Sequence, residues 1–270
     1  MEKDKIKVYY SHEVEANRLE LEPFQLEGIR TKEIIDRYLQ NDTMEILDIG
    51  GGAGYYSFWL QEKGHQVTLV DLSPTNISLA KKHSETSGIP LHKMEIGDAT
   101  SLSFANNQFD LVLLLGPLYH LTDRKERITA LAEAKRVLKP GGLLLSAVIS
   151  RYASLCDGFQ RDLVFDDQFF NLLTDDLRTG IHLNETDNQE YFTTAYFHTA
   201  NEIVEEIGVS GLKFERLIAI ESFGWIVKNF SEKVKDSFYM DKLLEAIRIV
   251  ETNEDLVAMS PHIMAVAYNK

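Results

Sequence analysis

Two stretches of this chain are apolar along nearly their whole length, LVLLL at 111–115 and LLLSAVI at 143–149. A strand that meets solvent on one side alternates polar and apolar residues, whereas a strand covered on both sides does not. Both stretches therefore predict strands in the interior of a sheet that carries helices on its two faces. This restricts the chain to the α/β class before any motif is considered.

Strand and helix patterns alternate through residues 44–150. The predicted strands are Met44–Ile49, Gln66–Val70, His92–Ile96, Phe109–Leu115 and Gly142–Ile149, and the predicted helices are Tyr55–Lys63, Thr75–Thr86 and Arg124–Leu138. Such spacing indicates βαβ units and a doubly wound, mostly parallel sheet. Further strand-like stretches at Leu212–Ile220 and His262–Tyr268 complete a predicted seven-stranded sheet.

Segments outside this alternation predict helical cap insertions. The predicted organisation is an N-terminal helical cap at 1–40, a ligand-binding α/β core at 41–149, a lid or substrate insertion at 150–198, and a completion of the core at 199–270 with a helical insertion near 222–258. The insertion at 150–198 is aromatic and polar and has no clean period. Within the last segment, the helical pattern predicts one long helix from about Trp225 to Leu256.

The charge of the chain argues against several partners. Its formal net charge is −14, and no basic cluster exceeds the Lys81-Lys82 pair. Nucleic acid is therefore an unlikely partner, because phosphate contacts need a basic surface. No apolar stretch approaches the ~20 residues that span a bilayer, so no membrane partner is expected. The sequence does not indicate an oligomeric state.

Cysteine and acidic residues bear on compartment and metals. Cys156 is the only cysteine, which excludes an internal disulfide and a zinc site built on several cysteines. A reducing, cytoplasmic location is the simplest expectation. The acidic pairs Asp166-Asp167 and Asp175-Asp176 lie in irregular polar sequence, so we expect them on a solvated surface and predict no metal site.

The strongest local motif is DIGGGAG at 48–54, between a predicted strand and a predicted helix. Glycines at such a turn allow positive φ and close approach of a ligand. The dinucleotide pattern G-x-G-x-x-G begins at Gly50 and Gly52 but meets Tyr55 at its third glycine. The pattern acidic-x-G-x-G-x-G is complete, with Asp48 first and Gly54 last. A nicotinamide or flavin cofactor is thus disfavoured without being excluded.

Two further acids follow predicted strands. Asp71 ends the second strand, 21 residues after Gly50, where a carboxylate can accept the hydroxyls of a ribose. Asp98 follows the third strand, where it can accept from an adenine amine. The carboxyl ends of parallel strands meet at one edge of a sheet and form the ligand site of open α/β folds. An adenosine-type ligand is therefore predicted.

With these motifs in place, the chain resembles the class I S-adenosylmethionine-dependent methyltransferases. The DIGGGAG, VTLVDLS, GDATSLSF and RVLKPGG segments occur in the family's order, and GPLYHL after the fourth strand is similar to bacterial small-molecule members. The resemblance covers 44–150 and weakens after Ser150. It implies a Rossmann-like methyltransferase fold, S-adenosylmethionine as cofactor, and transfer of its methyl group to a small-molecule acceptor at an O, N, S or C atom.

The resemblance also implies a set of cofactor-binding residues. By position, these are Asp48, Gly50, Gly51, Gly52 and Gly54 for the methionine part, Asp71 for the ribose, Leu72 and Ala99 for the adenine faces, Asp98 for the adenine amine, and Leu115 at the start of the loop beside the methyl group.

The loop after the fourth strand contains the candidate catalytic residues. His120 is a candidate general base because imidazole titrates near working pH; the alternative is a histidine that caps or packs at the next helix. Tyr119 is a candidate aromatic wall for the positive sulfonium, or else a core residue. Gly116-Pro117-Leu118-Tyr119 lacks the Asn or Asp found here in relatives that methylate planar amino nitrogens, which disfavours that chemistry.

The predicted lid supplies candidate acceptor contacts. Arg151 and Tyr152 directly follow the fifth strand, and Tyr196 and His198 end the insertion. We expect Arg151 to line the acceptor site and Tyr152, Tyr196 and His198 to lie near the cofactor's sulfur. The reason is that segments leaving the carboxyl ends of the strands must enclose the methyl group. The neighbouring aromatics are as compatible with a hydrophobic cap core.

The N-terminal segment offers two more candidates. Tyr10 precedes a predicted helix that bears Arg18, in a segment that often folds over the cofactor in this family. They are candidates for contacts with the methionine carboxylate, and pairing of Arg18 with nearby glutamates is the alternative.

Two other function classes remain open from sequence. They are an RNA or protein methyltransferase and a nicotinamide-dependent oxidoreductase or cofactor-binding protein. A closed pocket above the glycine loop indicates a small acceptor, and an open basic trough indicates a polymer.

Overall fold

The computed structural model describes Leu19, residues 24–186 and residues 188–270. Among these residues there are nine strands: β1 Glu45–Ile49, β2 Gln66–Asp71, β3 Lys93–Ile96, β4 Phe109–Leu114, β5 Leu138–Ile149, β6 Ile181–His182, β7 Ala195–Tyr196, β8 Lys213–Ala219 and β9 His262–Tyr268. Seven of them form one sheet in the order β3-β2-β1-β4-β5-β9-β8, and β6 and β7 form a separate antiparallel pair.

Ten α-helices are described in the same residues. They are α1 Gln25–Asp36, α2 Tyr55–Glu62, α3 Pro74–Ser87, α4 Pro117–His120, α5 Arg124–Val137, α6 Ala153–Gln160, α7 Asp167–Thr179, α8 Ala200–Val209, α9 Phe230–Lys233 and α10 Ser237–Val250. Short 3-10 helices lie at Leu163–Phe165, Gln189–Tyr191, Ser222–Ile226 and Val257–Met259. No helix of the described part of the chain combines the length and the apolar character that a membrane crossing requires.

The central strands are buried on both faces, as their composition predicts. Alternate residues of β4 enter different hydrophobic clusters: Leu111 and Leu113 pack on one side of the sheet, Val112 and Leu114 on the other. All four are inaccessible to solvent. The neighbouring pairs β1–β2, β1–β4 and β4–β5 are parallel, and β9 is antiparallel to both β5 and β8. The predicted doubly wound, mostly parallel seven-stranded fold is confirmed.

Two predicted element boundaries are wrong. β5 begins at Leu138 rather than Gly142, because Leu138 already pairs with Phe109 before the register shifts. The single long helix predicted from Trp225 is instead a 3-10 helix followed by α9 and α10. Asn229, at φ 53°, precedes α9, and Asp236 caps the start of α10 by accepting from the Tyr239 N–H.

The insertion at 150–198 is better ordered than its composition indicates. It contains α6, α7 and the β6–β7 pair, with α7 burying Phe169 and Leu173. A bridge between Ser150 and His198 brings both ends of the insertion to the carboxyl end of β5. It therefore begins and ends at the edge of the sheet where the ligand site was predicted.

One acid of the insertion lies in the interior instead of on the expected solvated surface. Asp176 is fully buried, and its carboxylate accepts from Ser154 Oγ at 2.5 Å and contacts His182 Nδ1 at 2.9 Å. His182 Nε2 in turn lies 2.5 Å from the Tyr191 carbonyl oxygen. The expectation was wrong for Asp176 because the helical period of α7 turns it inward, whereas the adjacent Asp175 is exposed.

Candidate active site

The DIGGGAG motif forms a tight loop from β1 into α2. Gly50, Gly52 and Gly54 have φ values of 70°, 61° and 95°, which only glycine adopts readily. A Cβ atom on Gly50 would overlap Pro117, whereas one on Gly52 would meet no protein atom within 4 Å. The backbone at Gly52 is therefore open to close approach by a ligand.

Asp48 lies buried beneath this loop. Its carboxylate accepts from Ser57 Oγ at 2.7 Å. Burial raises the pKa of Asp48 to about 6; the negative charge of Asp71 adds to this, and the bond from Ser57 opposes it. A carboxylate held in so little water attracts a cationic group, which would favour its ionised form.

Asp71 ends β2 and is held by three donors. Its oxygens accept from the Gly52 N–H at 2.9 Å, the Ser73 N–H at 2.8 Å and Asn76 Nδ2 at 3.1 Å. Burial raises the pKa of Asp71 although these bonds oppose it. Since a carboxylate offers about four lone-pair positions, one further hydroxyl fits directly. A bidentate ribose contact requires one existing bond to yield.

Asp98 lies in the turn after β3. Its Oδ1 accepts from the Thr100 N–H at 2.9 Å and from Thr100 Oγ1 at 2.8 Å. These bonds fix the turn, and Asp98 and Ala99 both line a cavity at the sheet edge.

Two adjoining cavities occupy this edge, with volumes of about 140 and 130 Å³. The first is lined by six of the predicted cofactor contacts, namely Gly50, Gly52, Asp71, Leu72, Asp98 and Ala99. The second is lined by Asp48, Gly51 and Leu115 on the sheet side. Gly50, Gly52, Asn76, Gly116 and Tyr119 line both. Within the described residues, no Lys or Arg lines either cavity.

The helix α4 separates the two cavities from the insertion. Tyr119 lines both cavities and His120 the first, with 4.6 Å between their ring centroids. Burial lowers the pKa of His120 to about 4, although a hydrogen bond with the backbone of Thr194 opposes the shift. His120 is therefore neutral at physiological pH and a weak base.

Comparison with known proteins agrees with this geometry. Residues 47–146 match a family model described as a methyltransferase domain. Residues 47–146 thus carry a methyltransferase domain. The resemblance seen in the sequence implies S-adenosylmethionine as its cofactor.

Individual relatives match less than half of the chain. The chain is 34% identical over 108 residues to a ubiquinone biosynthesis O-methyltransferase of Cereibacter sphaeroides, covering 40% of this chain and 42% of that protein. A protein of the same description from Methylocella silvestris is 33% identical over 129 residues, covering 47% and 48%. The chain thus spans less than half the length of these relatives.

A solved structure extends the likeness to nearly the whole fold. An S-adenosylmethionine-dependent methyltransferase of Methanosarcina mazei aligns with a TM-score of 0.58 over 87% of this chain and 96% of that chain. Their sequence identity is 23%, so the likeness concerns the fold.

Three of the predicted lid residues form hydrogen bonds or ion pairs with the helix α8. Arg151 Nη2 lies 2.7 Å from Glu202, and the Tyr196 hydroxyl donates to Glu202 at 3.0 Å. His198 is buried with its Nε2 3.3 Å from Glu206. None of these three lines either cavity. In the described structure they anchor the insertion to α8, and their acceptor contacts stay a prediction.

Four further predicted site residues lie outside the two cavity linings or outside the described residues. Tyr152 precedes α6, is 38% exposed and lines neither cavity, and its acceptor contact also stays a prediction. Gly54 caps the start of α2 and also lies outside the two cavity linings. Tyr10 and Arg18 lie outside the described residues.

The insertion instead supports α4 from behind. The rings of Phe192 and His120 stack with 6.4 Å between centroids, and Tyr119 packs on a cluster that includes Ala195 and Phe197. The insertion thus lies at the predicted edge but acts on the cavity through Tyr119 and His120.

Several cavity residues were not predicted. Two of them, Ser73 and Asn76, could have been found from the sequence, because Asp-Leu-Ser-Pro after a strand indicates a helix cap. No sequence pattern marks the other three, Glu27, Thr31 and His262, which line the second cavity. They come from α1 and β9 and meet only in the folded chain.

Proposed function

We propose that this chain transfers a methyl group from S-adenosylmethionine to a small-molecule acceptor. The observation that supports it best is the pair of adjoining cavities over the glycine loop. The acids expected to bind adenosine, Asp71 and Asp98, line the first cavity. The second extends the space beyond Gly50 and Gly52.

In this proposal the cofactor crosses the boundary between the cavities. Its adenine lies between Leu72 and Ala99 with Asp98 at the amine, its ribose binds Asp71, and its methionine part lies along Gly50–Gly54 above Asp48. The sulfonium then falls near Leu115 and Tyr119. Methyl transfer requires a close, aligned acceptor more than it requires protein chemistry, because the sulfonium supplies the reactivity.

A small, uncharged acceptor suits the second cavity better than a polymer does. The described lining is devoid of Lys and Arg, so phosphate groups find no partner there. The relatives named ubiquinone biosynthesis O-methyltransferases also support a small molecule. Tyr119 forms an aromatic wall at the methyl group. The cytoplasmic location stays a prediction.

The first test is binding of S-adenosylhomocysteine by calorimetry to wild-type protein and to Asp71→Ala. Loss of a charged ribose contact should raise Kd by about 10- to 100-fold, on the order of 1.5–3 kcal/mol. Asp123→Ala is the matched control, because Asp123 accepts from the N–H of Lys125 two residues later at 2.8 Å, as Asp71 does from Ser73, but lies outside the cavities. Tight binding of a nicotinamide dinucleotide with none of S-adenosylhomocysteine would refute the assignment.

A further inference from the structure

Three ionisable side chains that the cofactor does not require meet at the second cavity. Glu27 comes from α1, Glu221 follows β8 two residues after its end, and His262 opens β9. One ligand atom of each lies within 4.8 Å of the others. Glu27 and His262 line the cavity, and Glu221 is buried behind them.

Glu221 holds the imidazole of His262 in one orientation. Its Oε1 lies 2.6 Å from His262 Nδ1. Its Oε2 accepts from the His262 backbone N–H at 3.1 Å and from Ser260 Oγ at 3.0 Å. A proton on Nδ1 is thereby directed to Glu221, and Nε2 is then the basic nitrogen of the neutral ring. This is the arrangement of a histidine base oriented by a carboxylate.

The position of His262 places this pair on the acceptor side. His262 is paired with Ile149 at the carboxyl end of β5, so it lies at the same sheet edge as the glycine loop. It shares the second cavity with Gly50, Gly116 and Tyr119, which also border the first cavity. An acceptor between His262 and the sulfonium therefore touches both.

Resting on the methyl transfer proposed above, we propose that His262 is the general base for a phenolic acceptor and that Glu221 positions it. His262 Nε2 removes the hydroxyl proton while the phenol oxygen forms a bond to the methyl carbon. The carbon–sulfur bond breaks, and its electron pair stays on sulfur as S-adenosylhomocysteine. The proton on the imidazolium then leaves to solvent.

The charge and walls of the cavity favour a phenol that arrives neutral. Asp48 and Glu27 line it, Glu221 lies behind it, and the described lining contains no cationic side chain, so a preformed anion is repelled. Tyr55, Tyr56, Tyr119 and Ile220 offer apolar, aromatic surface. The basicity of imidazole lies closer to that of a phenolate than to that of an alkoxide, so proton transfer to His262 is more favourable from a phenol than from an aliphatic alcohol.

The groups around His262 stabilise the imidazolium that forms. Glu221 and Glu27 face the ring from two different elements, at 2.6 and 3.9 Å from Nδ1. Arg30 of α1 donates to the Ile220 carbonyl oxygen, but its guanidinium is paired with Glu33 and Glu251. Among the described residues, the charged groups that face the ring are therefore the two carboxylates.

The test uses 4-nitrophenol, whose phenolate absorbs visible light, with the full chain saturated by S-adenosylhomocysteine. In wild-type protein, bound 4-nitrophenol should give the phenolate band at a pH where free 4-nitrophenol is mostly protonated. In His262→Asn the band should be lost. In Glu221→Gln it should form only at higher pH, because the imidazolium loses its carboxylate. His92→Asn is the control, since His92 is exposed in the loop before β3.

Transfer from S-adenosylmethionine to 4-nitrophenol is measured on the same proteins. We expect His262→Asn to lower kcat by about 100-fold or more with little change in Kd for S-adenosylhomocysteine. Glu221→Gln should lower kcat and move the acidic limb of its pH profile to lower pH, because His262 loses the carboxylate that favours its protonated form; a purely structural role would not move that limb.

Each contrary outcome has a distinct meaning. If wild-type protein does not bind S-adenosylhomocysteine, the proposed function fails. If it binds but 4-nitrophenol gives no phenolate band, or the band persists in His262→Asn, only the base assignment is overturned. Loss of transfer on adding a chelator, with recovery on adding Zn²⁺, would also overturn it, because the three side chains would then hold a metal.

Discussion

The two halves of the site are built in different ways. The cofactor half is made of short segments that leave consecutive parallel strands, at 48–54, 71–76 and 97–99. The acceptor half joins Glu27 to residues near the end of the chain. One hydrogen bond that stabilises it, from Arg30 Nε to the Ile220 carbonyl oxygen, joins residues that are 190 positions apart in the sequence. A local motif reveals the first half, whereas only the fold assembles the second.

The forces that hold each half differ accordingly. The glycine loop is fixed by short-range bonds, such as the Gly52 N–H to Asp71. The acceptor half depends on a buried ion network in which Arg30 pairs with Glu33 and Glu251. Burial raises the pKa of Glu33, but hydrogen bonds from Arg248 and Arg37 outweigh it and bring the pKa to about 2. Substitutions should therefore separate cofactor affinity from stability.

The largest expected effect is on the cofactor half. In Gly52→Val the added Cβ meets no protein atom within 4 Å, and the side chain enters the space proposed for the ligand. We expect Kd for S-adenosylhomocysteine to rise about 1,000-fold or more, roughly 4 kcal/mol. Gly88→Val is the matched control, because Gly88 also has positive φ (74°) and open space around it, at the end of α3. If a folded Gly52→Val protein binds S-adenosylhomocysteine with the same Kd as wild type, the glycine loop does not contact the ligand.

The next effect should fall on the acceptor half. Arg30→Met leaves Glu251 short of a buried partner, so the free energy of unfolding should drop by about 3 kcal/mol in chemical denaturation. Arg248→Met is the control, since Arg248 pairs with the same Glu33 from an exposed position and should cost at most about 1 kcal/mol. Cofactor affinity should change little in both. A large loss of affinity in Arg30→Met would mean that the two halves are coupled.

A smaller effect concerns His120, where the halves meet. Its pKa falls from 6.5 to about 4 on folding. Between these values the unfolded chain binds more protons, so this contribution is complete above about pH 6.5 and is lost as pH falls toward 4. From pH 7.5 to 5 it amounts to about 2 kcal/mol. Denaturation curves of His120→Gln should lack this part of the acid sensitivity. An unchanged pH dependence would show that another group carries it.

The sequence predicts what local chemistry determines. The burial of LVLLL, the turn in DIGGGAG and the acids at strand ends all follow from residues within a few positions of one another. Which side chains pair with one another across long sequence separations does not follow from such neighbouring residues. Arg151, Tyr196 and His198 have side chains equally suited to a ligand and to an ion network, and only the position of α8, with Glu202 and Glu206, decides for the network. No periodicity in the sequence predicts the contact between His262 and Glu221.

We expect the buried carboxyl of Asp48 to make binding of the proposed cofactor a proton-linked equilibrium. With a pKa of about 6, a fraction of the free protein carries a proton at this position near neutral pH. A ligand that brings a positive charge selects the ionised form, so each binding event expels that fraction of a proton into the buffer. The heat of binding will then depend on the ionisation enthalpy of the buffer. Below pH 6, affinity declines as protons compete for the same oxygen atoms. The acid beneath the glycine loop thus couples cofactor occupancy to the acidity of the surrounding solution.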